Sequence, residues 1–125
     1  MKVFITGGSG FIGLPFVEHF LEQGHEVKVL DLVEPAIKHD KLEWINKSVM
    51  DEIAEDIKRC DLAFHFAAML GVDNSDNKPL ETMRINLEGS VNVFKSATEV
   101  GVKHMIYSSS SEVYGEPREL PIRED

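Results

Sequence analysis

The feature that most narrows the choice of fold lies at the amino end. There the apolar run Val3-Phe4-Ile5-Thr6 breaks into Gly7-Gly8-Ser9-Gly10-Phe11-Ile12-Gly13, and an apolar helical pattern follows from about Phe11 to Gln23. A short run with no polar alternation reads as a parallel strand covered on both faces. Strand, tight turn and helix together make the first half of a β-α-β crossover. Gly7 lets the turn close, Gly10 lets the backbone approach a pyrophosphate, and Gly13 lets the helix pack on the sheet. The helix terminus above such a turn carries about half a positive charge and several unpaired donors, which favours an anion there. Pro15 falls inside the expected helix. Proline is tolerated in a first turn, so it pushes the helix start later than the apolar pattern alone suggests.

Gly24 ends this helix, and Glu26–Leu30 reads as a second strand running into Asp31. An acid at that point, roughly 20 residues beyond the glycines, is placed to accept from the two hydroxyls of an adenosine ribose. The same carboxylate repels a 2′-phosphate, so the expected cofactor is NAD and not NADP. The plainer reading is a turn with no ligand, in which Asp31 caps a loop.

Further along, Leu32–Lys41 reads as a loop containing Pro35, Leu42–Asn46 as a weak third strand, and Asp51–Arg59 as a short amphipathic helix. Leu62–Ala68 is almost uncharged, as a central parallel strand is. Pro79 opens a long helix to about Val100, with Leu80, Met83, Leu87, Val91, Phe94 and Ala97 at steps of three and four, and Gly101 closes it. Val102–Tyr107 is a fifth strand leading into Ser108–Ser111, and the remainder, with Gly115, Pro117 and Pro121, is turn-rich. Strands alternating with helices predict an α/β fold, a doubly wound parallel sheet of about five strands with right-handed crossovers. Ligands in such sheets sit beyond the carboxyl ends of the strands, where the strand order switches between the first and the fourth. The loops after Thr6, Asp31, Ala68 and Tyr107 are therefore the places to look.

The chain of 125 residues is read as one domain, 1–125, with a formal charge of −9 that argues against nucleic acid or an anionic membrane as partner. One cysteine, Cys60, provides no disulfide framework and fits a reducing compartment. No run is long and apolar enough to cross a bilayer, and the start has no secretory pattern, so the expected location is the cytoplasm. His19, His25, His39 and His104 share no spacing that suggests a metal site.

Five segments occur in order: Thr6–Gly13, Asp31, His65-Phe66-Ala67-Ala68, Asn86-Leu87-Glu88-Gly89-Ser90, and Ser108–Ser111 with Glu112-Val113-Tyr114-Gly115. Together they resemble the extended short-chain dehydrogenase/reductase family, in its NAD-dependent sugar-nucleotide epimerase/dehydratase branch. The resemblance implies a Rossmann fold and a nucleotide-sugar substrate whose hydroxyl is oxidised by hydride transfer to NAD. Epimerisation, water loss or decarboxylation then follows. By the same resemblance, Ser110 matches the Ser/Thr that hydrogen-bonds the reacting hydroxyl. Glu112 falls on an acidic position that dehydratases and decarboxylases use for proton transfer, although a solvated loop carboxylate remains an equal reading. Phe11, Ile12, Phe66, Ala67, Ala68 and Ser108 are expected along the cofactor. Ser108, Ser109 and Ser111 also suit turn hydrogen bonds. Asn86 resembles an asparagine that braces the site, and a mid-helix Asn also bonds locally. His65 reads as a core histidine with a satisfied partner. The helix beginning at Pro79 resembles one through which family members form homodimers.

Two departures from the family pattern stand out. Ser48-Val49 occupies the place where an Asp and an apolar residue commonly hold the adenine, and a serine accepts there more weakly than a carboxylate. The second concerns the Tyr-x-x-x-Lys pair that supplies the family's base. Neither Tyr107 nor Tyr114 has a lysine four residues later. The 125 residues are therefore expected to bind the cofactor without turning a substrate over. The alternatives are a non-catalytic dinucleotide-binding module and an NADP-linked reductase, the latter disfavoured by Asp31.

Overall fold

A computed structural model describes residues 1–71, 76–116 and 119–123. Pro117 of the expected turn-rich tail lies outside them. Five strands form one parallel sheet in the order β3-β2-β1-β4-β5: β1 (Lys2–Thr6), β2 (Glu26–Leu30), β3 (Leu42–Ile45), β4 (Leu62–His65) and β5 (His104–Tyr107). β1 is central because Val3, Phe4 and Ile5 are all fully buried and need cover on both faces. Its side chains alternate between two cores. Val3 and Ile5 join Val27, Val29 and Phe64 under α1 (Gly13–Glu22), whereas Phe4 joins Leu30, Ala63, Val93 and Ala97 on the other side. The pairing Ile5↔Val29 and Ile5↔Phe64 holds that division, since a slip of one residue would exchange the two faces.

α1 starts at Gly13, later than the apolar pattern suggests, with Ile12 as its N-cap residue. Pro15 thus sits in the first turn, where its missing N–H has no intrahelical partner to lose. Both long helices end in the same way. Gly24 (φ 80°) donates to Leu21 O at 2.8 Å and His25 to Phe20 O at 3.0 Å. Gly101 (φ 77°) donates to Thr98 O and Val102 to Ala97 O. This paired closure needs a left-handed residue, which glycine adopts without strain.

The segment after β3 corrects one expectation: in place of a helix over Asp51–Arg59 there is a single turn, α2 (Ala54–Ile57). Arg59 has φ 64°, which stops the turn before β4. β4 ends at His65, so Phe66, Ala67 and Ala68 form an extended loop beyond the sheet and do not continue the strand. The long helix runs from α3 (Pro79–Met83) through a π turn (Arg84–Glu88) into α4 (Gly89–Glu99). Its buried face in α4 is made of Gly89, Ser90, Val93, Ser96 and Ala97, small residues that let the helix approach the sheet. The apolar residues Leu80, Met83, Leu87 and Val91 point away from the core, with Leu80 77% exposed and Val91 56%, whereas Phe94 turns its ring onto His65 and Tyr107. Of the expected apolar series only Ala97 is buried.

Candidate functional site

A largely apolar cleft of about 620 Å³ opens at the carboxyl ends of β1, β2 and β4, where the strand order switches. Its floor is the glycine loop. Gly7 (φ 70°) donates to Leu30 O at 2.9 Å, which ties the loop to β2. Gly10 donates back to Gly7 O at 3.1 Å, and Leu14 to Gly10 O at 2.9 Å. The next main-chain N–H groups, those of Phe11, Ile12 and Gly13, have no acceptor among the described residues. They lie at the positive end of α1. The three spaced glycines are needed for different reasons. A Cβ on Gly7 would come within 2.6 Å of Ala67 N, and one on Gly13 within 2.1 Å of Gly7 O. A Cβ on Gly10 would meet only Gly7 O, at 3.3 Å, and otherwise project into open space in the cleft. Backbone crowding thus demands Gly7 and Gly13, while Gly10 keeps the cleft floor bare.

Asp31 stands at the end of β2 on the cleft wall. Its Oδ2 accepts from Ser9 N–H at 3.0 Å and its Oδ1 from Val33 N–H at 3.0 Å. An ionised carboxylate offers about four lone-pair positions, so each oxygen retains acceptor capacity. The Trp44 indole N–H donates to the Asp31 carbonyl at 3.0 Å, and the Ser9 hydroxyl donates to Val33 O at 2.6 Å. Sequence reading did not find Trp44 or Ser9 as supports, because their partners lie on other loops.

Ser48 and Val49 form the wall beyond β3. Ser48 N–H donates to Asp51 Oδ2 at 2.8 Å, and Ser48 Oγ accepts from Met50 N–H at 3.2 Å. The loop is pinned from behind by Asn92, whose Nδ2 donates to Val49 O at 2.7 Å and Asp51 O at 2.8 Å. Gly89 completes the contact, since a Cβ there would sit 2.6 Å from Val49 Cγ2. Asn92 was also missed. Its place on the same long helix, six residues after Asn86, was the only signal. Lys47 also lines this wall; its ammonium bonds Asp56 Oδ2 at 2.6 Å, and that hydrogen bond raises its pKa.

Phe66, Ala67 and Ala68 line the opposite side together with Met69 and Leu70. Thr6 and His65 hold that side in place. Ser90 donates its hydroxyl hydrogen to Asn86 O at 2.6 Å, so it accepts from His65 Nε2–H at 2.9 Å. His65 Nδ1 then accepts from the Thr6 hydroxyl at 2.6 Å, and Thr6 Oγ1 accepts from Ala67 N–H at 3.3 Å. This chain of donors assigns the neutral Nε2–H tautomer, and burial lowers the His65 pKa.

Four residues expected at the site stand outside the cleft wall. Asn86 spends its amide on Met69, accepting from Met69 N–H at 2.7 Å and donating to Met69 O at 3.0 Å. It therefore shapes the loop after β4 and does not meet the cleft. Ser108 N–H donates to His65 O at 3.3 Å. Glu112 is exposed on a 3₁₀ turn (Ser111–Tyr114), and the exposed Ser110 caps that turn, its Oγ accepting from Glu112 N–H at 3.3 Å. Among the described residues, no three His, Cys, Asp or Glu side chains cluster as metal ligands, and no helix is long and apolar enough to cross a membrane.

The cleft can hold an elongated anionic ligand, with donors under its centre, acceptors at the β2 side and an apolar wall at the β4 side. Comparison with known proteins agrees with that shape. Residues 3–125 match the model of the family described as NAD dependent epimerase/dehydratase. The chain is 33% identical to UDP-glucose 4-epimerase of Lactobacillus helveticus, over 100% of this chain and 40% of that protein. It is also 33% identical to UDP-glucuronic acid decarboxylase 1 of Danio rerio, over 99% of this chain and 31% of that one. The chain thus spans well under half the length of these relatives. The structure of UDP-glucose 4-epimerase from Bifidobacterium longum in complex with NAD+ and UDP superposes with a TM-score of 0.87 at 31% identity, covering 100% of this chain and 42% of that one. With a family model spanning nearly every residue and a fold that superposes throughout, this chain belongs to the NAD-dependent epimerase/dehydratase family.

Proposed function

We propose that residues 1–125 form the NAD-binding domain of a nucleotide-sugar epimerase, dehydratase or decarboxylase. The observation that carries this reading is the row of unpaired N–H groups at Phe11, Ile12 and Gly13 above a bare Gly10. Those donors suit a pyrophosphate, and Asp31 suits the adenosine ribose hydroxyls. Ser48 and Val49 border the base beyond β3. Ala67 and Ala68 leave room for the nicotinamide end near β4, beside Phe66. NAD supplies a hydride acceptor for the carbon that bears the sugar hydroxyl. Ser110 is read as the group that hydrogen-bonds this hydroxyl, its own hydrogen being free of any acceptor among the described residues. Glu112 is read as the group that moves the proton beside the new ketone. Both lie just past the carboxyl end of β5, on the same edge of the sheet as the cleft.

Calorimetric titration of the 125-residue chain with NAD and NADP tests the cofactor reading. NAD is expected to bind, and Asp31→Ala is expected to weaken it by about tenfold, the worth of a charged hydrogen bond, and to narrow the gap to NADP. An unchanged NAD:NADP ratio would remove the ribose role from Asp31. Residues 1–125 hold no tyrosine followed four residues later by lysine, so these residues by themselves are expected to bind NAD without turning a sugar over. Incubation of the chain with UDP-glucose and NAD checks this, since reduced cofactor or a changed sugar would show that a competent base lies within these residues.

For assembly, we read the outward residues Leu80, Met83, Leu87 and Val91 as the face that meets a second copy of this chain. Sedimentation should show a dimer that Leu87→Glu dissociates; a monomer at every concentration would reject this.

A further inference from the structure

We propose that Ser9 is a positioning residue that sets how strictly the site demands the 2′-hydroxyl of the ligand's adenosine. The inference rests on the reading of Asp31 as the ribose acceptor and extends it to the residue that holds Asp31. Three hydrogen bonds form a closed circuit. Ser9 N–H donates to Asp31 Oδ2 at 3.0 Å, Val33 N–H donates to Asp31 Oδ1 at 3.0 Å, and the Ser9 hydroxyl returns to Val33 O at 2.6 Å. One residue of the glycine loop therefore grips the loop after β2 at both the carboxylate and the peptide that supports it.

Packing does not duplicate this grip, because Leu32 and Val33 are 67% and 65% exposed. Trp44 fixes the Asp31 carbonyl, which leaves the side-chain torsions free. The orientation of the carboxylate thus depends on the circuit. With one lone pair of each oxygen occupied, each oxygen keeps a further acceptor position, and Asp31 lines the cleft, so the fixed carboxylate can accept from a pair of adjacent hydroxyls. A carboxylate free to rotate would offer that paired geometry only part of the time. The Ser9 hydroxyl has a single hydrogen, and Val33 takes it, so Ser9 acts on the ligand through Asp31 and not by donating to a phosphate.

The test uses the coupling between a protein hydroxyl and a ligand hydroxyl. The 125-residue chain is titrated calorimetrically with NAD and with its analogue lacking the adenosine 2′-hydroxyl. The natural chain is expected to favour NAD by about tenfold, because the missing hydroxyl leaves an acceptor unpaired. Ser9→Ala should reduce that ratio severalfold by weakening NAD, with affinity for the deoxy analogue almost unchanged, and Ser9→Thr should restore it. If Ser9→Ala does not fold, as judged by thermal unfolding, Ser9→Gly removes the same hydroxyl and gives the same comparison. Equal weakening of both ligands would mark Ser9 as merely structural and overturn the proposal, as would an unchanged ratio. Asp31→Ala in the same titrations separates the two layers of the argument. If it abolishes the ratio while Ser9→Ala does not, Ser9 is refuted and the ribose reading stands. If it leaves the ratio intact, the ribose reading fails and this proposal fails with it.

Discussion

At Gly10 and Gly13 the same added methyl group has opposite consequences. Gly13→Ala would place Cβ 2.1 Å from Gly7 O, a main-chain atom with no room to move, so the cost falls on folding. The expected loss is about 2–3 kcal/mol of stability, at the upper end for overpacking, measured as a lower urea midpoint. At Gly10 the only neighbour of a Cβ is Gly7 O at 3.3 Å. Gly10→Val should therefore keep most of the thermal stability and lose NAD binding in calorimetry. Loss of the fold in Gly10→Val would mean that this glycine serves packing. Cys60 shows a different residue-level constraint: buried at the end of the α2 segment, its thiol is pushed up to about 11, which leaves it protonated and unreactive near neutrality.

At the scale of elements, the long helix organises the cleft without lining it except at Ile85. Asn86 holds Met69 after β4, Ser90 holds His65 on β4, and Asn92 holds Val49 and Asp51 after β3. The Ser90 hydroxyl bonds the carbonyl four residues back, a contact that bends helices, and the π turn Arg84–Glu88 immediately precedes α4. Asn92→Ala would leave two loop carbonyls without that donor. Stability should fall by about 1–2 kcal/mol, and hydrogen exchange should speed up at Val49–Asp51 while the β1 amides stay protected. Uniformly faster exchange would show that Asn92 supports the whole fold and not this wall. The outward apolar series on the same helix was legible as a periodic stripe, but periodicity does not say which face meets the sheet. The small residues Gly89, Ser90, Val93, Ser96 and Ala97 win that place because close approach to the sheet requires them.

At the scale of the whole molecule, the formal charge of −9 gives an anion no overall attraction, so a bound diphosphate depends on oriented main-chain donors at one helix end. Stability should depend on acid through His65. Burial lowers its pKa below the usual histidine value of about 6.5, so it stays neutral in the folded protein while the unfolded chain takes up a proton. Unfolding then binds a proton, and stability falls as pH drops below about 6.5 until the lowered folded pKa is reached, with a slope of at most about 1.4 kcal/mol per pH unit. Urea midpoints measured from pH 7.5 down to 5.5 should fall more steeply for the natural chain than for His65→Gln. Parallel curves would show that His65 carries none of this dependence.

Local spacing alone determined the strands, the glycine turn, the helix-ending glycines and the acid after β2. Each of these is a statement about the conformation of a few neighbouring residues, which is why Glu26–Leu30 and the positions of Gly24 and Gly101 match the structure. Boundaries were less legible where two signals competed: Pro15 with the apolar pattern at α1, and Arg59 with the amphipathic run that shrank to Ala54–Ile57. Only the tertiary structure decided the partners of Ser9, Trp44, Asn86 and Asn92, which lie 13 to 43 residues away. Such bonds form after the sheet order β3-β2-β1-β4-β5 has brought separate loops to one edge, and no periodicity along the chain records them.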